Sequence, residues 1–282
     1  MNYRGVVVPM ITPFTPGGGI DVPAVGRIVD HLVGGRVAGI FPLGTTGEAA
    51  SIHDSDRLVL VEETVKAVNR RATVYAGIPS NCFRESLEAA VAYKQLGADA
   101  VVAHMPSYYP LSDADIEAYF QRLADGVPLP LVLYNIPVTT HHSIALDSLD
   151  KLRNHPNIVA VKDSSGDRAR LTEMLKRTGG KDGFPVLLGS STTFTHGLKL
   201  GGVGLVPSGA HLVPDKYQAM FESAMNGKWD EVERLQTETD AAVAPYIKGH
   251  TLSEGLAILK AMMEAKGLCG RTMLPPIRDY TG

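Results

Sequence analysis

The chain has little cysteine, no excess of basic charge and no segment with the composition of a linker. Its two cysteines, Cys82 and Cys269, lie far apart without metal-ligand spacing, which argues against a disulfide framework and for a reducing compartment. The formal net charge is −3, so we expect neither nucleic acid nor a membrane as a partner. The first residues, MNYRGVVVPMITPF, have the pattern of neither a signal peptide nor a membrane span. We therefore expect a cytoplasmic protein.

Short apolar runs alternate with segments of helical periodicity along most of the chain. Most of these runs are continuously apolar, which is typical of parallel strands that are covered on both sides. The runs are GVVVPMI (5–11), AGIFPLG (38–44), TVYAGIP (73–79), AVVAHMP (100–106), PLVLYNIP (130–137), IVAVKDS (158–164), PVLLGS (185–190) and VGLVPSG (203–209). The pattern is a strand followed by a helix, repeated about eight times.

The segments between the runs carry helix signals. Asp21, followed by an early proline, and Ser112, followed by an amphipathic run, both predict helix starts. One helix is predicted to bury a single face, whose residues are Leu58, Val61, Val65 and Val68.

This repeat predicts the fold class and the domains. A chain of 282 residues with 44% hydrophobic residues can bury one large core. We expect an α/β protein with a single (β/α)8 TIM barrel over residues 1–225 and a small C-terminal helical extension over residues 226–282. The alternative is an open, doubly wound α/β sheet.

In such barrels the carboxyl ends of the strands line the active site. Lys162 ends an apolar strand, where lost hydration lowers the pKa of an amine and lets it attack a carbonyl carbon. Tyr134 ends the neighbouring strand and can shuttle protons. The turn GTTGE (44–48) offers backbone N–H groups and hydroxyls to a small anion. Taken singly, Lys162 can also be a lysine that reaches solvent or pairs with Asp163, and Tyr134 can be a packed aromatic residue.

Together, the strand-end motifs resemble a known family. LGTTGE, YNIP and VKDSSGD, in this order and at these separations, are similar to the dihydrodipicolinate synthase and N-acetylneuraminate lyase family of class I, pyruvate-dependent aldolases. The resemblance covers nearly the whole chain, from VVVPMITPF to the C-terminal helices. It implies that Lys162 is the Schiff-base lysine, Tyr134 the proton-transfer tyrosine and Thr45 the first hydroxyl of a proton relay.

The resemblance implies further contacts around this lysine. Thr46 would bind the pyruvate carboxylate. Tyr109, the second tyrosine of PSYYPLS, would complete the relay of a neighbouring subunit, so a homo-oligomer, a dimer or a tetramer, is expected. Gly189, Val206 and Ser208 fall where the family lines its pocket, although ordinary packing at strand ends explains these three equally well.

The acceptor side departs from the familiar members of the family. Thr139, a candidate substrate contact, stands where the synthases resembled here carry an arginine, and a threonine cannot replace a charged, bidentate fork. Ser190, Ser191 and Thr192 stand where sialic acid lyases carry acidic residues. The sequence therefore favours an aldolase that joins pyruvate to an aldehyde, or that cleaves a 2-keto-3-deoxy sugar acid or 4-hydroxy-2-oxo acid. The alternatives are 4-hydroxy-tetrahydrodipicolinate (dihydrodipicolinate) synthase and a 2-keto-3-deoxy acid dehydratase that uses the same imine.

Two other classes of protein remain as competing hypotheses. One is a non-catalytic barrel that binds a keto acid, against which the joint presence of Lys162, Tyr134 and Thr45 argues. The other is a metal-dependent aldolase, which needs a cluster of His, Glu or Asp at strand ends. The adjacent His141 and His142 point to opposite sides of an extended chain and cannot chelate one ion. We therefore predict neither a metal nor a cofactor.

Overall fold

A computed structural model describes residues 3–282 of the chain. Eight parallel strands pair in sequence order, and the last pairs with the first, so that they close a barrel. The strands are β1 (Gly5–Pro9), β2 (Gly39–Phe41), β3 (Thr73–Gly77), β4 (Ala100–His104), β5 (Leu131–Asn135), β6 (Ile158–Asp163), β7 (Val186–Leu188) and β8 (Gly204–Leu205). The predicted (β/α)8 barrel is confirmed, and the open-sheet alternative is wrong.

Helices follow the strands. They are α1 (Val22–Gly34), α2 (Asp54–Val68), α3 (Phe83–Leu96), α4 (Asp113–Gly126), α5 (Pro137–Thr140), α6 (Leu146–Leu152), α7 (Arg168–Thr178), α8 (Phe194–Lys199), α9 (Pro214–Met225), α10 (Trp229–Ile247) and α11 (Leu252–Ala265). Both predicted helix starts are confirmed. The Asp21 carboxylate accepts the Ala24 N–H at the start of α1, and Ser112 forms a capping box with Asp115 at the start of α4.

One predicted helix face is partly wrong. In α2 the buried residues are Leu60, Val61, Thr64 and Val68. Leu58 lies to one side of this stripe and is 41% exposed. Leu58 begins the continuous apolar run 58–61, and such a run does not itself indicate which of its members face the core.

The described residues fall into two compact units. One contains residues 3–6 and 75–207, and the other contains residues 7–74 and 208–282. In the second unit α10 packs against α9 and α11, which confirms helices beyond the eighth strand. The predicted domain boundary near residue 225 stays a prediction. Within residues 3–282, no helix has the length and apolar character needed to cross a bilayer.

Candidate active site

The candidate site is centred on Lys162 and Tyr134, at the carboxyl ends of neighbouring strands. The two residues are partners in the β5–β6 register. Both side chains are buried, and the Lys162 Nζ lies 3.7 Å from the centroid of the Tyr134 ring. Because directly paired residues of parallel strands project to the same side of a sheet, the amine and the phenol are brought together by the register itself. The predicted pairing of these two residues is therefore present in the fold.

Burial sets the charge state of the Lys162 amine. Desolvation lowers its pKa, while the charge and a hydrogen bond of Tyr134 oppose this with a smaller effect. A lysine with a lowered pKa is neutral for a larger fraction of the time, and only the neutral amine is a nucleophile. Lys162 thus has the environment that an imine-forming lysine requires.

Asp163, the next residue, is engaged on the opposite side of the strand. Its carboxylate accepts hydrogen bonds from Asn135 Nδ2 at 2.8 Å and from Arg170 Nε at 3.1 Å. Since Arg170 belongs to α7, which packs outside the barrel, Lys162 faces the interior. Asp163 therefore has hydrogen-bond partners of its own on the side of the strand away from the barrel interior. Arg170 is a supporting residue that sequence reasoning missed.

Gly189 leaves the space that the Lys162 side chain occupies. Its N–H donates to the Asp163 carbonyl at 2.8 Å. A Cβ at this position would overlap the Ser164 hydroxyl and approach Lys162 Cε to 3.1 Å. Directly after β8, the buried Val206 donates its N–H to the Leu188 carbonyl at 2.7 Å. Gly189 therefore lies beside the Lys162 side chain, at a position where the family resemblance implies a pocket-lining residue.

The GTTGE turn is anchored by the buried carboxylate of Glu48. Thr45 and Thr46 are partly exposed, whereas Glu48 is buried and has a left-handed backbone, with φ of 56°. One oxygen of Glu48 accepts from Lys260 Nζ, and the other accepts from the Leu274 N–H at 2.9 Å. The turn that carries both threonines is thereby tied to the C-terminal part of the chain.

Lys260, on α11, has no exposed surface in this ion pair. Its ammonium also donates to the Thr272 carbonyl at 2.9 Å and lies 4.4 Å from the centroid of the Phe14 ring. Sequence reasoning missed this pair. The available signal was a lysine inside an otherwise apolar helical run, AILKAMM, where an unpaired charge is not tolerated.

Ser208 is held in a hydrogen-bonded chain with Tyr246 and His211. Its hydroxyl lies 2.9 Å from the Tyr246 hydroxyl, and its carbonyl accepts from His211 Nδ1 at 2.7 Å. The other ring nitrogen, His211 Nε2, accepts the Ile11 N–H at 3.0 Å. Burial lowers the pKa of His211 to about 4, so the ring is neutral at physiological pH. Ser208 is thus fixed by its neighbours.

The remaining candidate residues of the sequence analysis lie on loops after β4, β5 and β7. Thr139, in the short helix α5, donates its hydroxyl to the Ile136 carbonyl at 3.3 Å. The Ser190 and Thr192 hydroxyls lie 2.9 Å apart. Tyr109 is 69% exposed, and its carbonyl lies 3.0 Å from His142 Nε2. The loops after β4 and β5 are therefore joined at Tyr109, which leaves its ring on the surface.

Comparisons with known proteins point to one family. A model of the dihydrodipicolinate synthetase family matches residues 2–281. A 4-hydroxy-tetrahydrodipicolinate synthase of Methanosarcina mazei is 31% identical over 98% of this chain and 94% of its own length. One from Staphylococcus carnosus is 32% identical over 90% of this chain and 87% of its own length. The structure of dihydrodipicolinate synthase from Bacteroides thetaiotaomicron superposes with a TM-score of 0.93 at 28% identity, covering 100% of this chain and 95% of the other.

Proposed function

The chain belongs to the dihydrodipicolinate synthetase family, and from this premise we propose that it forms an imine between Lys162 and pyruvate and uses that imine for carbon–carbon bond chemistry. The observation that carries the proposal is the buried Lys162 amine, whose pKa is lowered by desolvation, beside the ring of Tyr134. Family members are class I aldolases and lyases, and this chain is an enzyme of that kind.

The proposed sequence of steps balances without a metal or redox cofactor. The neutral Nζ adds to the keto carbon of pyruvate, and the resulting carbinolamine loses water to give the imine. A proton then leaves the methyl carbon, which attacks the aldehyde carbon while the aldehyde oxygen takes up a proton. Water finally hydrolyses the imine and frees the lysine. The protonated imine withdraws electrons in both directions of the reaction, so the same steps reversed would cleave a 4-hydroxy-2-oxo acid.

We propose the following roles around this imine. Tyr134 moves protons during carbinolamine formation and breakdown. Thr45 and Thr46, on the GTTGE turn, serve as the first hydroxyl of the relay and as the binding group for the pyruvate carboxylate. Gly189 and Val206 line the pocket beside the amine. These roles rest on the family resemblance and on the positions of the residues at strand ends, where Tyr134 and Val206 are buried and Thr45, Thr46 and Gly189 are partly exposed.

For the acceptor, the named relatives favour 4-hydroxy-tetrahydrodipicolinate synthesis, which the sequence alone places second. Removing pyruvate from this product leaves a four-carbon amino-acid aldehyde with a carboxylate, 2-amino-4-oxobutanoate. The second candidate is an aldolase or dehydratase that acts on 2-keto-3-deoxy sugar acids. It is supported by Thr139 at the position of an arginine and by the paired hydroxyls of Ser190 and Thr192.

A product screen separates these candidates. The enzyme is incubated with pyruvate and 2-amino-4-oxobutanoate, with pyruvate and neutral hydroxyaldehydes, and with 2-keto-3-deoxy sugar acids, and the products are identified by mass. The synthase gives the cyclic dicarboxylate in the first mixture. An aldolase releases pyruvate from the keto acids, and a dehydratase releases water but keeps the carbon chain. Activity in none of these mixtures would contradict the proposal.

We also propose that the enzyme works as a homo-oligomer, a dimer or a tetramer, in which Tyr109 completes the relay of a neighbouring subunit. The support is an exposed aromatic pair, Tyr108 and Tyr109, which are 77% and 69% exposed and whose ring centroids lie 5.0 Å apart. Sedimentation at assay concentrations should give a dimer or larger. A fully active monomer would contradict this role. The cytoplasmic location and the lack of a metal stay predictions.

A further inference from the structure

His104, the last residue of β4, lies in the same row as the candidate catalytic pair. It is the register partner of Tyr134, which is in turn the partner of Lys162. The three side chains therefore project to the same, interior side of the barrel. The His104 and Tyr134 rings meet edge to face, with centroids 6.2 Å apart. His104 is partly exposed, so a small molecule can reach it.

The orientation of the His104 ring fixes which nitrogen can meet a ligand. Nδ1 lies 2.7 Å from the Met105 carbonyl oxygen. Because a carbonyl only accepts hydrogen bonds, Nδ1 carries the proton, and Nε2 presents a lone pair in the neutral ring. Among residues 3–282, no group hydrogen-bonds to Nε2. The structure thus presents one hydrogen-bond acceptor in the row of the amine.

The direction of the His104 pKa shift also favours the neutral ring, in which Nε2 carries a lone pair. Burial lowers its pKa, the Met105 hydrogen bond partly opposes this effect, and the electrostatic interaction with Lys162 lowers the pKa further by a smaller amount. A neutral acceptor attracts a hydroxyl or an ammonium group, and it offers nothing to a carboxylate. Pyruvate itself has no hydrogen-bond donor, and the carbinolamine hydroxyl leaves as water before the aldehyde reacts. The complementary group in the carbon–carbon bond-forming step therefore comes from the other half of the substrate.

We infer that His104 Nε2 accepts a hydrogen bond from a hydroxyl or ammonium group of the aldehyde-derived half of the substrate. His104 is then a specificity residue, which favours aldehydes that carry such a donor over aldehydes that lack one. The inference rests on the proposed imine at Lys162 and adds to it the contact that distinguishes acceptors.

The test changes the residue and the substrate in turn and asks whether the two effects depend on each other. His104→Leu and the wild-type enzyme are assayed with pyruvate plus glyceraldehyde or plus propanal, which differ in hydroxyl groups and share a carbon chain. A second pair, 2-amino-4-oxobutanoate and 4-oxobutanoate, tests the ammonium source in the same way. We expect kcat/KM for the donor-bearing aldehyde of one pair to fall about 2- to 12-fold if the donor is a hydroxyl, the range of a neutral hydrogen bond, and about 12- to 160-fold if it is an ammonium group. The donor-free aldehyde should be unaffected, and His104→Gln, which keeps an acceptor oxygen, should recover part of the loss.

Two controls keep this outcome separate from the proposed function. Borohydride trapping with pyruvate alone measures imine formation without an aldehyde, and it should be unchanged in His104→Leu. His155→Leu, at a histidine before β6 that pairs with Asp125, should leave all four aldehydes unchanged. An equal loss for donor-bearing and donor-free aldehydes, or slower trapping with pyruvate alone, would overturn the inference. If the wild-type enzyme traps no pyruvate, the proposed function itself has failed.

Discussion

Removing the Lys260 ammonium should destabilise the protein severely and impair pyruvate binding as a consequence. In Lys260→Met the apolar stem is retained, but the Glu48 carboxylate is left without its cation at a site with no exposed surface. Breaking one side of a buried pair costs roughly 3–5 kcal/mol, because an uncompensated charge stays buried. Lys260 also donates to the Thr272 carbonyl, whose loss adds about 1 kcal/mol. We therefore expect a loss of about 4–6 kcal/mol in the free energy of unfolding.

Equilibrium urea unfolding of Lys260→Met, Glu48→Gln and the double variant measures this cost and its coupling. The double variant should be more stable than Lys260→Met, since it no longer buries a lone carboxylate. Arg271→Met removes the partner of an exposed pair at the end of the same helix, with Glu264, and should change stability by less than about 1 kcal/mol. Equal losses for Lys260→Met and Arg271→Met would refute the reasoning. If the turn is tied down by Glu48, the variants that still fold should show a raised KM for pyruvate.

Three further outcomes are expected. Tyr134→Phe should keep the fold and slow imine formation roughly 100- to 10,000-fold, the usual value of acid–base help, and unchanged rapid-quench trapping would remove Tyr134 from the mechanism. Gly189→Ala should slow trapping about 2- to 12-fold, because the added Cβ would displace the Ser164 hydroxyl and crowd Lys162 Cε away from its rotamer, whereas wild-type rates would show that the space is not needed. His211 should cost stability in acid: its folded pKa is about 4 and lies below the unfolded value near 6.5, so the unfolded state binds the extra proton. This contribution, about 3 kcal/mol, is complete above pH 6.5 and lost towards pH 4, and His211→Asn should flatten the wild-type slope of unfolding free energy over that range.

The fold and the central pair could be predicted because both follow from local patterns. Continuous apolar runs separated by helical segments specify parallel strands, and the ends of such strands share a rim, so the pattern alone places Lys162 and Tyr134 near each other. The buried face of α2 was predicted less well. Leu58 and Leu60 are both apolar and only two residues apart, and the sequence spacing alone does not show that Leu60 is buried while Leu58 is exposed.

The missed residues depend on contacts that no local pattern contains. Glu48 and Lys260 are separated by 212 residues, and His104 acquires its neighbours only through the strand register. His211 is indistinguishable from a surface histidine until its two ring nitrogens meet Ser208 and the Ile11 amide. The roles proposed for Thr45, Thr46 and Tyr109 come from the family resemblance, because the presence of a threonine or an exposed tyrosine does not by itself indicate a particular role.

Covalent trapping tests the central claim most directly. The enzyme is incubated with pyruvate and borohydride, digested, and mapped by mass spectrometry. We expect one labelled peptide, carrying the reduced pyruvate adduct on Lys162, and a loss of activity in step with labelling. Lys162→Ala should abolish both the label and the activity, and Lys162→Arg should fail as well, because a guanidinium stays protonated. A label on another lysine, or wild-type turnover by Lys162→Ala, would contradict the account.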